Sequence, residues 1–210
     1  MPTVEQARQW YRESDPVHDF DHVMRVYRMA ERLAKAEGAD LEIVRAAALL
    51  HDAESASGNT DERLDHHEAA AQFAGKVLIE EGWTEVRIRS VQECILTHRF
   101  RTGSPPESIE AKVLFDADKL DAIGAIGAAR ALAYAVLAGQ ALFAEPSETF
   151  RKTYTTDPGE AYTAYHEYIF KLSRIQERMQ TASGQALAAD RTEVMRRFFE
   201  QMQAETRGEK

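Results

Sequence analysis

The sequence predicts an all-α fold, and three observations predict it. Apolar residues recur at three- and four-residue spacings along most of the chain, the period of a half-buried helix. Those runs open on capping residues such as Thr3, Asp40 and Thr84 and close on Gly38 and Gly82. No stretch alternates apolar and polar residues with the period of two that a half-buried strand needs, and there is no internal repeat or low-complexity tract.

Taken in order, Thr3-Val4-Glu5-Gln6 reads as a helix start with Gln at the third helical position, and this first helix runs to about Glu13 before Ser14-Asp15-Pro16 breaks it. A second helix extends from about Asp21 to Glu37, with Val26, Ala30 and Leu33 on one face; one turn before Val26 lies His22, which therefore points into the core. Asp40 caps a third helix from Leu41 to about Asp52, whose Ala46-Ala47-Ala48 run permits close approach of a neighbour. Ser55 to Asp61 is a loop. A fourth helix covers about Arg63 to Glu81, and a fifth carries Val91, Ile95 and His98 on one face. Arg99 to Pro106 forms a basic loop. The sixth helix starts near Ser108 and places Leu114, Asp118, Asp121 and Ala125 on one stripe, with Asp116 roughly opposite. The apolar stretch Ala122 to Leu142, interrupted by Arg130 and Gln140, reads as a buried helix of a bundle rather than a membrane span. Pro146 and Asp157-Pro158-Gly159 bound a looser segment, and two further helices are predicted over about Glu160 to Met179 and Gln185 to Glu205.

Composition narrows the class of function. The 210 residues are 44% hydrophobic and 29% charged, the balance of a globular protein. Against 26 basic residues stand 35 acidic ones, a net charge of -9 that argues against an extended nucleic-acid partner but leaves room for a small phosphorylated substrate. A single cysteine, Cys94, makes no intramolecular disulfide, and no apolar signal follows Met1, so a cytoplasmic location is expected.

Four residues distant in sequence carry the chemistry. His22, the pair His51-Asp52, and Asp118 are the types that hold one divalent ion of the Mn²⁺, Fe²⁺, Co²⁺ or Ni²⁺ kind, and each sits on or beside the apolar face of a predicted helix. The His-Asp dipeptide alone carries no weight, since His18-Asp19 is a second copy. Asp118 inside an apolar stripe is harder to explain blandly: a buried carboxylate needs a proton, a metal, or a cation such as Arg25, Lys119 or Arg130. No Gly-rich phosphate loop, His-Glu-x-x-His helix or cysteine pair is present, and Gly124 to Gly127 suits close helix packing.

His22, then His51-Asp52, then Asp118 resembles the H…HD…D pattern of the HD-domain metal-dependent phosphohydrolase superfamily. The surroundings match too, in His18-Asp19-Phe20-Asp21-His22-Val23-Met24-Arg25-Val26, Ala48-Leu49-Leu50-His51-Asp52 and Asp116-Ala117-Asp118-Lys119-Leu120-Asp121. The last block, and the tail through His166, Thr181, Arg191 and Phe198-Phe199-Glu200, is similar to a bacterial branch resembling nucleoside-triphosphate pyrophosphohydrolases. The resemblance implies one HD-type helical bundle over residues 1–210, with a metal-binding core at about 15–130 and additional C-terminal helices at about 145–206. It makes His22, His51, Asp52 and Asp118 the ligands of one divalent ion, Mn²⁺ first, with Co²⁺, Ni²⁺, Fe²⁺ or Mg²⁺ as alternatives.

On that reading Glu54 and Asp121 are candidates to steer the attacking water. His18, His67, His98, Arg99, Arg101 and Lys119 are candidates to contact the substrate, the cations offsetting the charge of a triphosphate. The function implied is metal-dependent hydrolysis of a small nucleotide, first a (deoxy)nucleoside triphosphate cleaved to pyrophosphate. Other classes to weigh are a cyclic-nucleotide or alarmone hydrolase, an HD-type di-iron oxygenase with His67 and His98 as further ligands, and a non-catalytic HD signalling module. The aromatic C-terminal residues Tyr162, Tyr165, Tyr168, Phe170, Phe198 and Phe199 suit packing on the core or a homodimer contact, so monomer and homodimer are both open.

Overall fold

The computed structural model describes residues 1–11, 20–53, 66–99 and 105–210. Among these residues there is no strand; the chain is built from α-helices and short 3-10 turns, as the periodicity predicts. They form two compact units, one of residues 1–118 with 180–184 and one of residues 119–179 with 185–210. No single described helix is long and apolar enough to cross a membrane.

In the first unit, α1 (Val4–Arg8) opens on the predicted capping box: the Thr3 hydroxyl accepts from the Gln6 N–H at 3.1 Å and the Gln6 amide oxygen accepts from the Thr3 N–H at 2.7 Å. It ends sooner than expected, because Trp10 and Tyr11 leave the helix to pack edge-on against Phe73 and tilted against Phe20, at ring separations of 5.4 and 5.6 Å. Next come α2 (Phe20–Glu37) and α3 (Leu41–Leu50), the latter capped by Asp40, whose carboxylate accepts from the Glu42 and Ile43 N–H groups. Ala46 through Leu50 are all fully buried. A helix apolar on every side belongs in the middle of a bundle, and α3 contacts α1, α2, α4 (His66–Glu80) and α5 (Glu85–Thr97). Burial of this much aliphatic surface, worth about 1.5–3 kcal/mol per large side chain, makes the end of α3 a rigid platform. Cys94 is a free, buried thiol.

α6 (Ile109–Asp121) starts in the first unit, and its last three residues are counted with the second. It stops at Asp121, so the predicted stripe does not continue to Ala125, which is exposed on α7 (Gly124–Leu137). Predicted as a buried helix, α7 buries only one face, through Gly127, Ala128, Ala131 and Ala135, while Val136 and Leu137 are exposed. At Gly127 a β-carbon would overlap the Ala122 carbonyl and press on the Met195 methyl, so close packing is what this glycine serves.

The segment after α7 departs most from expectation. A short helix, α8 (Glu148–Thr153), lies in the stretch read as loose, and the helix predicted from Glu160 to Met179 is reduced to α9 (Ala164–Phe170) followed by two 3-10 turns. Glu160 cannot start a helix because its carboxylate is committed elsewhere. It accepts from the Ser147 N–H at 2.6 Å, the Ser147 hydroxyl at 2.8 Å and the Asp157 N–H at 2.7 Å, and lies 3.2 Å from His166 Nε2. At the far end Lys171, with φ -129° and ψ -54°, breaks α9. The aromatic residues pack on one another within the second unit, Tyr168 stacked on Phe199 at 4.4 Å and Phe150 against His166 at 4.6 Å.

These hydrogen bonds, that from the Ser147 backbone first, hold the Glu160 carboxyl at about 2, against an ordinary 4.5. Because the folded value is the lower one, the stabilisation is complete above about pH 4.5 and is lost as the pH falls toward 2. Glu160→Gln is therefore expected to melt below the wild type at pH 7, with the gap closing as the pH drops below 4.5. Thermal unfolding followed by circular dichroism from pH 7 to pH 3 checks this, and a gap that widens in acid would contradict it.

α10 (Ala182–Thr206) starts earlier than predicted, with Gly184 inside its first turn. The N–H groups in and just before its first turn meet side chains of the first unit: Ser183 N–H donates to Glu37 at 2.8 Å, Gly184 N–H to the Thr181 hydroxyl at 3.0 Å, and the preceding Gln180 and Thr181 N–H to Asp116 at 2.8 Å each. That supply of acceptors offsets the low helix propensity of Ser183 and Gly184.

Candidate metal centre

Three ligand atoms from three helices converge in the first unit: one each from His22, His51 and Asp118, all within 4.8 Å of one another. His22 comes from the first turn of α2, its ring buried beside Val23 and Val26. His51 is the residue that ends α3, and its position there fixes its ring. The Nδ1–H donates to the Ala48 carbonyl at 2.9 Å, one of the acceptors a helix end leaves over, so Nε2 carries the lone pair. That Nε2 is buried and, among the described residues, has no hydrogen-bond partner. A buried acceptor left this way costs about 1–3 kcal/mol unless something electrophilic meets it.

Asp52 and His98 complete the cluster. His22 Nε2 lies 3.5 Å from Asp118 and 3.8 Å from Asp52; His51 Nε2 is 3.5 Å and His98 Nε2 3.7 Å from Asp52. These separations exceed ordinary hydrogen bonds but suit pairs of atoms that each lie about 2.1 Å from one shared ion. The donor set, imidazole nitrogen and carboxylate oxygen with a buried unsatisfied Nε2, fits a divalent cation of the borderline class. His98 repeats the device of His51: it ends α5, places Nδ1 2.5 Å from the Ile95 carbonyl, and stands edge-on to His51 at 5.3 Å. Burial acts most strongly on the Asp52 carboxyl and opposes its ionisation, but the His51, His98 and His22 imidazoles together hold it well below the usual carboxylate range.

One contributor has no periodic signature in the sequence. Tyr11 donates its hydroxyl to the Leu49 carbonyl at 2.9 Å, next to the end of α3. Burial, and then the charge of Asp52, push its phenol well above the ordinary value, so it stays a donor. It follows a five-residue helix and has no apolar repeat to mark it.

The remaining candidates are distributed as follows. Arg99 is half-buried just past His98, His67 is buried in the first turn of α4, and Lys119 is half-buried next to Asp118. Asp121, expected beside the site, forms a buried ion pair with Arg130 at 2.7 Å inside the second unit. His18, Glu54 and Arg101 lie outside the described residues.

Asp116, roughly opposite Asp118 on the helical wheel, is fully buried. Its partners are the Gln180 and Thr181 N–H groups and the Thr181 hydroxyl, the last at 2.7 Å. The reason is that α6 is buried on more than one face, with Ala111, Val113, Leu114 and Leu120 all inaccessible. Burial lifts the Asp116 carboxyl above its ordinary value despite these hydrogen bonds.

Comparison with known proteins agrees with this geometry. The family model described as HD domain matches residues 19–123. In sequence the chain is similar to YpgQ of Bacillus subtilis (strain 168), at 32% identity over 99% of this chain and 96% of YpgQ. Among solved structures it is similar to YpgQ in complex with ADP, at 30% identity over 97% of each chain with a TM-score of 0.74. A Lactobacillus plantarum protein is 34% identical over 98% of this chain and 95% of its own, also with a TM-score of 0.74. An HD-superfamily hydrolase from Bacillus thuringiensis is 27% identical over 97% and 96% of the two chains, with a TM-score of 0.71. The match spans every residue of the cluster, from before His22 to beyond Asp118, and the chain belongs to the HD domain family.

Proposed function

We propose that this protein is a metal-dependent phosphohydrolase that cleaves a (deoxy)nucleoside triphosphate and releases pyrophosphate. His22, His51, Asp52 and Asp118 hold one divalent ion of the Mn²⁺ class. The observation that carries this reading is the convergence of His22, His51 and Asp118 around the buried, unsatisfied Nε2 of His51. A bound divalent ion supplies a water of lowered pKa and offsets the charge that builds on phosphoryl oxygens. The protein supplies position: the Ala48 carbonyl orients His51 so that Nε2 faces the cluster. Glu54 and Asp121 are the residues proposed to steer the attacking water. Arg99, Arg101 and Lys119 offset phosphate charge, with His18, His67 and His98 as further substrate contacts. The ADP bound to YpgQ supports a nucleotide as the ligand class, and the Bacillus thuringiensis hydrolase supports the reaction class.

A second reading of the metal count follows from His98, whose Nε2 lies 3.7 Å from Asp52. It gives two ions, with His98 and His67 as additional ligands. Elemental analysis of protein purified without chelator is expected to give about one equivalent of metal; two would favour the second reading. A panel of nucleoside triphosphates, cyclic nucleotides and alarmones, assayed with Mn²⁺, Co²⁺, Ni²⁺ and Mg²⁺, tests the substrate. Phosphorus NMR of the products is expected to show pyrophosphate and a monophosphate. Inorganic phosphate with a diphosphate would move the cleaved bond to the terminal anhydride, and no turnover of any triphosphate would reject the proposal.

A further inference from the structure

The turn that carries His51 and Asp52 lies just past α3, where the helical hydrogen-bond pattern is given up. In a continuing helix the Asp52 N–H would meet the Ala48 carbonyl, and the Ala53 N–H would meet the Leu49 carbonyl. Here the Ala48 carbonyl accepts from His51 Nδ1, and the Ala53 N–H turns to the Leu50 carbonyl at 3.2 Å. A donor on Asp52 and an acceptor on Leu49 are thereby left over on either side of Leu50-His51. One side chain meets both. The Tyr11 hydroxyl donates to the Leu49 carbonyl at 2.9 Å and accepts from the Asp52 N–H.

The N-terminal segment holds that hydroxyl in place. Ala7 of α1 is fully buried in an apolar cluster with Phe20, Val23 and Leu49, and Trp10 and Tyr11 pack against the same cluster. Phe20 and Val23 bracket Asp21-His22 on α2, and Leu49 stands two residues before His51. The segment therefore rests on the neighbours of His22 and of His51 at once, two residues whose ligand atoms lie within 4.8 Å of each other. Its own course is fixed from a third side. Trp10 stands edge-on to Phe73 of α4 at 5.4 Å, and the Met1 ammonium pairs with Glu81 at 3.2 Å. With the backbone so attached and the ring tilted against Phe20 at 5.6 Å, the phenol meets the turn already oriented.

We propose that Tyr11 is a positioning residue of the metal centre: its hydroxyl joins the Leu49 carbonyl to the Asp52 N–H and locks the turn that presents His51 and Asp52. It acts through the backbone of the turn rather than on substrate or ion. A turn ordered before the ion arrives spares metal capture the cost of ordering it, so the effect falls on the affinity of the empty protein. The assignment rests on the reading of His51 and Asp52 as metal ligands.

Tyr11→Phe removes one oxygen and keeps the ring against Phe20. The test is calorimetric binding of Mn²⁺ to the chelator-treated variant, with hydrogen exchange of the Asp52 amide followed by NMR. The variant is expected to bind Mn²⁺ about 10- to 100-fold more weakly, the range typical for loss of a group that orients a metal ligand. Its Asp52 amide should exchange about tenfold faster or more, with circular dichroism unchanged. Asp116→Ala, destabilised through contacts away from this turn, is the control and should bind Mn²⁺ as the wild type does. An equal loss of affinity in that control would assign the effect to general destabilisation and overturn the proposal. So would wild-type Mn²⁺ affinity in Tyr11→Phe, or weaker binding without faster exchange at Asp52. In these cases the ligand reading stands as long as His51→Ala and Asp52→Ala lose the ion. Wild-type Mn²⁺ affinity in those two variants would instead remove the ligand reading, and the role of Tyr11 with it.

Discussion

Asp118→Ala is expected to empty the metal centre and abolish turnover while leaving the helices in place. The substitution removes the carboxylate 3.5 Å from His22 Nε2 and one of the three converging ligands. Loss of an outer-sphere partner typically costs about 10- to 100-fold in metal affinity or activity, so loss of a ligand should cost more than a hundredfold. Alanine is the best helix former and Asp118 is half-buried, so far-ultraviolet circular dichroism should be unchanged. His51→Ala and Asp52→Ala should behave alike. Metal content by mass spectrometry and nucleotide turnover are the two readouts. Normal metal and turnover in Asp118→Ala, with both lost in Asp116→Ala, would show that the ligand assignment is wrong.

Two residues away the expected effect is of another kind. Asp116→Ala leaves the buried N–H groups of Gln180 and Thr181 and the Thr181 hydroxyl without their acceptor, at a cost of about 3 kcal/mol. For a chain of this size that corresponds to a melting temperature lower by roughly 6–12 °C. Bound metal should stay near wild type at temperatures where the variant is folded. Gly184 sharpens the test, because a β-carbon there would overlap the Asp116 carboxylate. Gly184→Ala alone is therefore expected to destabilise, and the two changes together to cost less than their sum, since removing the carboxylate makes room for the methyl. Additive losses would mean that the two sites do not touch.

How much of this could be read beforehand depended on whether the signal was local. Helix identity was legible wherever an apolar row and a cap coincided, as along α2 and at Asp40, because both are set by neighbours three or four residues away. The converging residues His22, His51 and Asp118 could be singled out because each stood on or beside such a row. Asp116 could not be read, because its partners are 64 and 65 residues distant and are backbone groups with no sequence signature. Glu160 is the same failure in reverse: its side chain pairs with backbone N–H groups at Ser147 and Asp157 and cancels a helix start that its local sequence favours. Tyr11 went unseen because its partner is a backbone carbonyl 38 residues away, at Leu49, and a helical wheel drawn for one helix carries no information about another.

The anchoring of α10 also has a consequence for the order in which the molecule can be made. When α6 leaves the ribosome, the groups that satisfy Asp116 do not yet exist; at about 5–20 residues per second they follow roughly 3 to 13 seconds later. Glu37 waits longer, for Ser183 lies 146 residues beyond it. Until then the Asp116 carboxylate must keep its water, which forbids the final burial of the helix that presents Asp118. Closure of the helix that carries Asp118 is thereby tied to synthesis of a distant segment, and a stall before residue 180 would leave His22, His51 and Asp118 translated while Asp116 still lacks its partners.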